Sequence, residues 1–176
     1  MNNTFVTTTH NEMQNQNTNI TYLGRWIDLY QEPLYRYAFF RLGSRSDAED
    51  VLQDAFLKVA SSTTIIRNPK AYLFAAVASG CVDVMRRRTK SPLPIDTKIA
   101  LSSSTSSEVP LEAEEEFCRI NKLLSQLSEQ QSEVIRLHIH AEMKFTEIAE
   151  VLSVPVSTVK SRWASGIERL KQLYIN

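Results

Sequence analysis

Apolar positions recur every three or four residues in a series of blocks, and each block reads as an amphipathic helix. In the first, Leu23, Trp26, Ile27, Tyr30, Leu34, Tyr37, Ala38 and Leu42 share a stripe. Pro33 falls inside it and predicts a break into two short helices, while Gly43 ends the run. The second block, Ser46 to about Ala60, lines up Ala48, Val51, Leu52, Ala55, Phe56 and Val59. Ser46 with Glu49 three residues on predicts a capping box at its start. Its outer face carries Asp47, Glu49, Asp50, Gln53 and Asp54, with no basic residue before Lys58. A polar loop, Ser61-Ser62-Thr63-Thr64, leads through Ile65 and Ile66 to Asn68-Pro69, where Asn as cap and Pro at the first helical position predict a third helix to about Thr89. That helix is apolar almost all round in its first half and ends in Arg86, Arg87, Arg88 and Lys90.

Residues 91–110 hold three prolines and a Ser/Thr run from Ser102 to Ser107, the composition of a linker. A fourth helix is predicted from about Leu111 to Gln126, with Phe117, Ile120, Leu123, Leu124 and Leu127 apolar. Ser128 with Gln131 makes another capping box, opening a helix through Val134, Ile135 and Ile139. Thr146 is then read as the cap of a short helix, Glu147 to Leu152, and Ser157 as the cap of a longer one, Thr158 to Leu170. Short helix, turn, long helix is the geometry of a helix-turn-helix, with Ala149 and Val159 at the crossing. Ser153 stands in the turn where Gly is usual. Ser157, Thr158, Lys160, Ser161 and Arg162, with Arg169 further on, form the exposed front of the second helix, where short hydroxyls and long cations suit phosphates and base edges. The tail, residues 1–21, is mostly Asn, Thr and Gln without a period, and is expected to be disordered. The expected fold is all-α: two small helical domains, 22–90 and 111–176, joined by a flexible linker, the second a helix-turn-helix domain.

Composition adds charge to this picture. The 176 residues balance to zero net charge, yet 22–90 carries +4, 91–117 carries −5 and 118–176 carries +2. Two mildly basic blocks around an acidic connector suit a protein that meets an anionic polymer at two places. Cys81 and Cys118 have no partner at metal-ligand spacing, and His138 and His140 point to different sides of a helix, so no metal is expected. With no phosphate-binding Gly loop and no nucleophile beside a base, the sequence predicts neither a cofactor, a small-molecule substrate nor catalysis. No apolar run is long enough to span a membrane and the start lacks a signal peptide, so a cytoplasmic protein is expected.

These residues carry a family likeness. Ser46-Arg-Ser-Asp-Ala-Glu-Asp-Val-Leu-Gln-Asp-Ala-Phe56, Pro69-Lys-Ala-Tyr-Leu-Phe74, Asp83-Val-Met-Arg-Arg-Arg88, Leu127-Ser128, Glu147-Ile-Ala149 and Ser157-Thr-Val-Lys-Ser-Arg162, in this order, resemble bacterial extracytoplasmic-function sigma factors of the sigma-70 family. The resemblance runs from about Tyr22 to Leu173. It implies that Asp47, Glu49, Asp50, Gln53, Asp54 and Phe56 dock on core RNA polymerase. It implies that Ser62, Thr63, Arg67, Gly80, Asp83, Arg86, Arg87 and Arg88 recognise and open a minus-ten element of promoter DNA. It further implies that Thr146, Ser157, Thr158, Lys160, Ser161, Arg162 and Arg169 read a minus-thirty-five element. A protein-only inhibitor, an anti-sigma factor, is an implied partner. The short loop before Pro69 looks like the iron-starvation subgroup. Relatives usually carry Asn at the position of Gly80 and an Arg near Ala164 or Ser165. The rival reading from the helix-turn-helix alone is a regulator that binds an operator without polymerase.

Overall fold

The structure is a computed structural model and describes residues 3–90 and 119–175. Every regular element among them is a helix: α1 Asn3–Leu42, α2 Arg45–Ser61, α3 Pro69–Lys90, α4 over 119–124, α5 Glu129–Ile139, α6 Phe145–Leu152 and α7 Val156–Ile175. The linker expected at 91–110 lies outside the described residues.

Helix α1 overturns two expectations. It runs straight through Pro33, and it extends back over the stretch expected to be a disordered tail. A proline in a helix interior costs about 3 kcal/mol, but Trp26 and Tyr30 before it and Leu34, Tyr37 and Ala38 after it all pack on one core. Burying that stripe at about 1.5–3 kcal/mol per large side chain outweighs the local penalty. The polar extension is held by side-chain amides, which find backbone partners more than 40 residues away.

Gly43 ends α1 as expected, at φ 65°. Ser44 follows in extended conformation, and its side chain accepts the Asp47 N–H at 3.3 Å. The cap of α2 is therefore Ser44 and not Ser46, because Ser44 is the first residue the glycine turn releases into β space. Asn68 caps α3 as read, accepting the Ala71 N–H at 3.1 Å. The Ser128–Gln131 box is formed in both directions, at 3.2 and 3.3 Å.

Helices α1, α2 and α3 pack around Leu34, Tyr37, Ala55, Val59, Leu73, Phe74 and Val77, all at most 1% exposed. Cys81 is buried with them, and burial pushes its thiol up to about 12, away from redox chemistry. Val134, Leu137, Met143, Ile148 and Val159 from the second group of helices belong to the same cluster, so apolar packing is continuous between the groups. A smaller cluster of Leu124, Leu127 and Ile135 ties α4, α5 and α7 together.

Polar contacts line this seam. The Tyr37 hydroxyl donates to Glu133, Arg41 pairs with Glu133 and with Glu129 at 2.7 Å, and Arg36 pairs with Glu142 at 2.9 Å. Lys70 reaches Glu147 at 2.8 Å and Asn68 donates to Glu150, which sets α6 against the start of α3. Phe40 stacks on His140 with ring centroids 3.8 Å apart.

Candidate nucleic-acid interface

On α2, the apolar stripe faces α1 and α3, which leaves Glu49, Asp50, Gln53 and Asp54 exposed along the outer face. Phe56, one turn on from Gln53, is half-buried against the core. Asp47 differs from its neighbours. It is half-buried and paired with Arg88, which also donates to the Leu42 carbonyl at 2.8 Å. Asp47 and Arg88 thus tie α3 to the α1–α2 turn, and both are committed to the fold. Asp50, Asp54 and Arg87 line a cleft of about 300 Å³ beside that pair.

The loop after α2 displays Thr63 and Arg67 to solvent, while Ser62 is half-buried with its Oγ bonded to Thr64. On α3, Asp83 and Arg86 are exposed and pair with each other at 2.9 Å, and Arg87 is exposed. Gly80 stands apart from these. A Cβ there would lie 2.8 Å from Val51 Cγ1, so the glycine serves close approach of α3 to α2.

The loop has partners that sequence reasoning missed. Asn19, only 1% exposed, donates to the carbonyls of Ser62 (3.1 Å) and Thr64 (2.9 Å) and accepts the Ile66 N–H at 3.4 Å. Gln16 donates to the Ala60 carbonyl at 3.2 Å and Asn15 to that of Thr63 at 3.1 Å. The signal available in the sequence was spacing: Asn15 and Gln16 each lie about one helical turn before Asn19, so both neighbour it on one face if the helix extends that far.

In the helix-turn-helix, Ser153 takes the left-handed conformation at φ 53°, ψ 43°. The Val154 N–H then reaches back to the Ala149 carbonyl at 3.0 Å, closing α6 in the manner of a glycine-ended helix. The position usually filled by Gly keeps its geometry with Ser, at a cost of about 1–2 kcal/mol. Ala149 and Val159 are buried at the crossing as expected, and Trp163 packs edge-on to His138 at 4.5 Å. The two caps fall elsewhere than expected. Thr146 lies exposed in the first turn of α6, whose box is made by Glu147 accepting the Lys144 N–H at 2.7 Å. Ser157 lies inside α7, where the Pro155 carbonyl accepts the Thr158 N–H at 2.9 Å. Both helices start one or two residues earlier than their hydroxyls suggested, because a proline carbonyl and a backward-reaching glutamate supply the end contacts.

Ser157, Lys160, Ser161 and Arg169 are exposed on α7, and Thr158 and Arg162 are half-buried. Arg162 lines a cleft of about 390 Å³ with Arg41, Ala78, Ser79 and Val82, so in this arrangement it faces α3. Close by, Gly166 admits Ile135 of α5, whose Cδ1 would lie 2.9 Å from an added Cβ. Among the described residues there is no group of three or more His, Cys, Asp or Glu that could hold a metal, and no helix long and apolar enough to cross a membrane.

A recognition helix with hydroxyls and cations at its front, braced by a shorter helix, defines a DNA-binding protein of the helix-turn-helix class. The comparisons give its family. Residues 26–91 match sigma-70 region 2 and residues 119–170 match sigma-70 region 4. The chain is 30% identical over 133 residues to the ferric citrate uptake sigma factor FecI of Escherichia coli, covering 73% of this chain and 76% of that one. It is 26% identical over 160 residues to the ECF RNA polymerase sigma factor SigW of Bacillus subtilis, covering 83% and 85%. The chain belongs to the extracytoplasmic-function sigma factors of the sigma-70 family, and directs RNA polymerase in transcription initiation. This sets aside the free-standing operator-binding regulator. The fold is shared with CnrH, solved in complex with the cytosolic domain of CnrY, at a TM-score of 0.68 and 22% identity over 93% of this chain and 94% of that one.

Proposed function

We propose that the work is divided by surface. The α2 face of Glu49, Asp50, Gln53 and Asp54, with the half-buried Phe56, docks on a basic surface of core RNA polymerase. Thr63 and Arg67 of the loop, with Asp83, Arg86 and Arg87 of α3, capture and open the minus-ten element. Ser157, Thr158, Lys160, Ser161, Arg162 and Arg169 read the minus-thirty-five element in the major groove. The domains are residues 22–90 and 111–176, and the linker between them spans polymerase. The protein acts by binding, without catalysis of its own, in the cytoplasm where polymerase is. A protein inhibitor is a further partner, and the apolar cleft of about 420 Å³ between Ile120, Leu124, Ile139, Ile167 and Tyr174 suits an apolar segment of a protein.

One observation carries this reading: the acidic face of α2 has its carboxylates at Glu49, Asp50 and Asp54 exposed together, while Asp47, the acid the fold needs, is paired. Run-off transcription with core polymerase over a promoter library tests it. Transcripts from a defined subset of promoters, lost on changing Lys160 and Arg162 to Ala, are expected. A promoter preference unaffected by that change would overturn the assignment of α7.

A further inference from the structure

The amide-rich N-terminal part of α1 is not needed to complete the apolar core, yet its side chains are spent on one loop. Asn19 is the centre of this arrangement. Asn19 is 1% exposed, and its carboxamide satisfies three backbone groups of the five-residue stretch 62–66: the carbonyls of Ser62 and Thr64 and the N–H of Ile66. Gln16 holds the Ala60 carbonyl on one side, and Asn15 holds that of Thr63. An irregular loop with no ladder of its own must otherwise give these groups to water, and would then sample many conformations.

The consequence lies in what stays free. With the carbonyls of residues 60 and 62–64 held by α1, the side chains of Thr63, Ile65 and Arg67 stay exposed, Ile65 to 52%. Tyr72, 38% exposed, stands one turn into α3, the helix that follows the loop. A hydroxyl, an apolar surface, a cation and an aromatic edge are the groups that hold an unstacked base and its phosphate. Capture of a flipped base requires them in fixed relation before the base arrives, since ordering the loop during capture would subtract from affinity.

We infer that Asn19, supported by Gln16 and Asn15, is a positioning residue for minus-ten recognition: it pre-forms the loop that accepts the unstacked promoter base and so sets which base is preferred. The inference rests on the proposed role of the loop. Asn19 touches no DNA; it acts through the backbone of residues 62–66.

The full-length chain, mixed with core polymerase, is compared with Asn19→Ala, with the partly exposed pair Asn15→Ala/Gln16→Ala, and with the loop pair Thr63→Ala/Arg67→Ala. Core binding is measured by competition, and base preference by run-off transcription from a library randomised across the minus-ten element. Asn19→Ala is expected to bind core normally, to lose open complexes on duplex promoters by at least about tenfold, as for the three hydrogen bonds removed, and to flatten preference at one minus-ten position. A loss of stability alone would lower transcript from all promoters together and leave the preference intact. If the loop pair changes preference and a folded Asn19→Ala does not, the positioning role is overturned. If the loop pair also leaves preference unchanged, the loop is not the reader and the inference falls with that assignment. Should Asn19→Ala fail to fold, the Asn15→Ala/Gln16→Ala pair decides: a shifted preference supports the role, and an unshifted one overturns it.

Discussion

Arg41 of α1 and Glu133 of α5 form a buried ion pair between the two groups of helices, their side chains 5% and 9% exposed. Burial pushes the Glu133 carboxyl up, and Arg41, the Tyr37 hydroxyl and Arg136 oppose it. Such a pair adds little over an apolar pair of the same shape, but removing one partner leaves a buried charge and costs about 3–5 kcal/mol. Glu129 remains to Arg41, so Glu133→Leu is expected to cost toward the low end of that range, seen as a fall in Tm and a larger radius of gyration in X-ray scattering as the groups separate. Combining it with Arg41→Met is expected to recover most of the loss. If the two changes add, the pair does not hold the seam. The separation matters for function, since Arg162 faces α3 when the seam is closed.

Beside that pair, His140 stacks on Phe40 and is held down to about 4, by burial first and then by the charges of Arg136 and Arg36. The sign follows from linkage. In the unfolded chain this histidine takes a proton near its ordinary 6.5, but in the folded chain it resists, so its neutral form contributes stability in full above pH 6.5 that is lost as pH falls toward 4. From pH 7.5 to 5.0 the loss is about 1–2 kcal/mol. His140→Phe keeps the stack and removes the proton site, and its Tm is expected to fall less over this range than that of the unchanged protein. Parallel pH profiles would show that His140 does not titrate against the fold.

Much of this was legible in the residues, because the helices rest on local patterns. Asn68-Pro69 and the Ser128–Gln131 box each report a contact made within three positions, and the Ala149–Val159 crossing one made within ten, and each is present as read. The three misplaced caps differ from the reading by one or two positions within a local pattern, whereas the larger misreadings depend on partners far along the chain. Pro33 is a breaker locally, and only the packing of Trp26, Leu34 and Tyr37 overrides it. The Asn/Gln tail has no apolar period, and it is helical where its amides meet the loop at 60–66. Asp47 and Asp54 look alike on a helical wheel, and only the approach of Arg88 separates a structural acid from an exposed one.

Gly80 shows the same dependence and gives a third prediction. An alanine in a helix interior gains about 1 kcal/mol over glycine, so by propensity Gly80→Ala should stabilise. Its Cβ would lie 2.8 Å from Cγ1 of Val51, a β-branched side chain that is 5% exposed and cannot swing aside. Overpacking costs about 1–3 kcal/mol, so a net loss of up to about 2 kcal/mol is expected, read as a lower midpoint in urea. Adding Val51→Ala makes room for the methyl, and the pair should lose less than the two single changes sum to. A Gly80→Ala protein more stable than its parent would show that the two helices yield.

The acids of α2 allow docking to be separated from folding. Asp50 and Gln53 are exposed on the outer face, whereas Asp47 is held by Arg88 at the α1–α2 turn. Asp50→Lys/Gln53→Lys cancels the negative charge of the face of Glu49, Asp50, Gln53 and Asp54 and sets two cations in its middle without touching a packed side chain, so stability should stay within about 1 kcal/mol of the parent. Like charge set against a basic partner costs several kcal/mol, and core polymerase recovered in a pull-down should fall at least about tenfold. Asp47→Ala should do the opposite, lowering Tm because Arg88 loses its partner while docking of the remaining folded protein is largely kept. Equal recovery of core by the Lys pair would remove α2 from the docking surface, and loss of docking by a fully stable Asp47→Ala protein would move the contact to the turn.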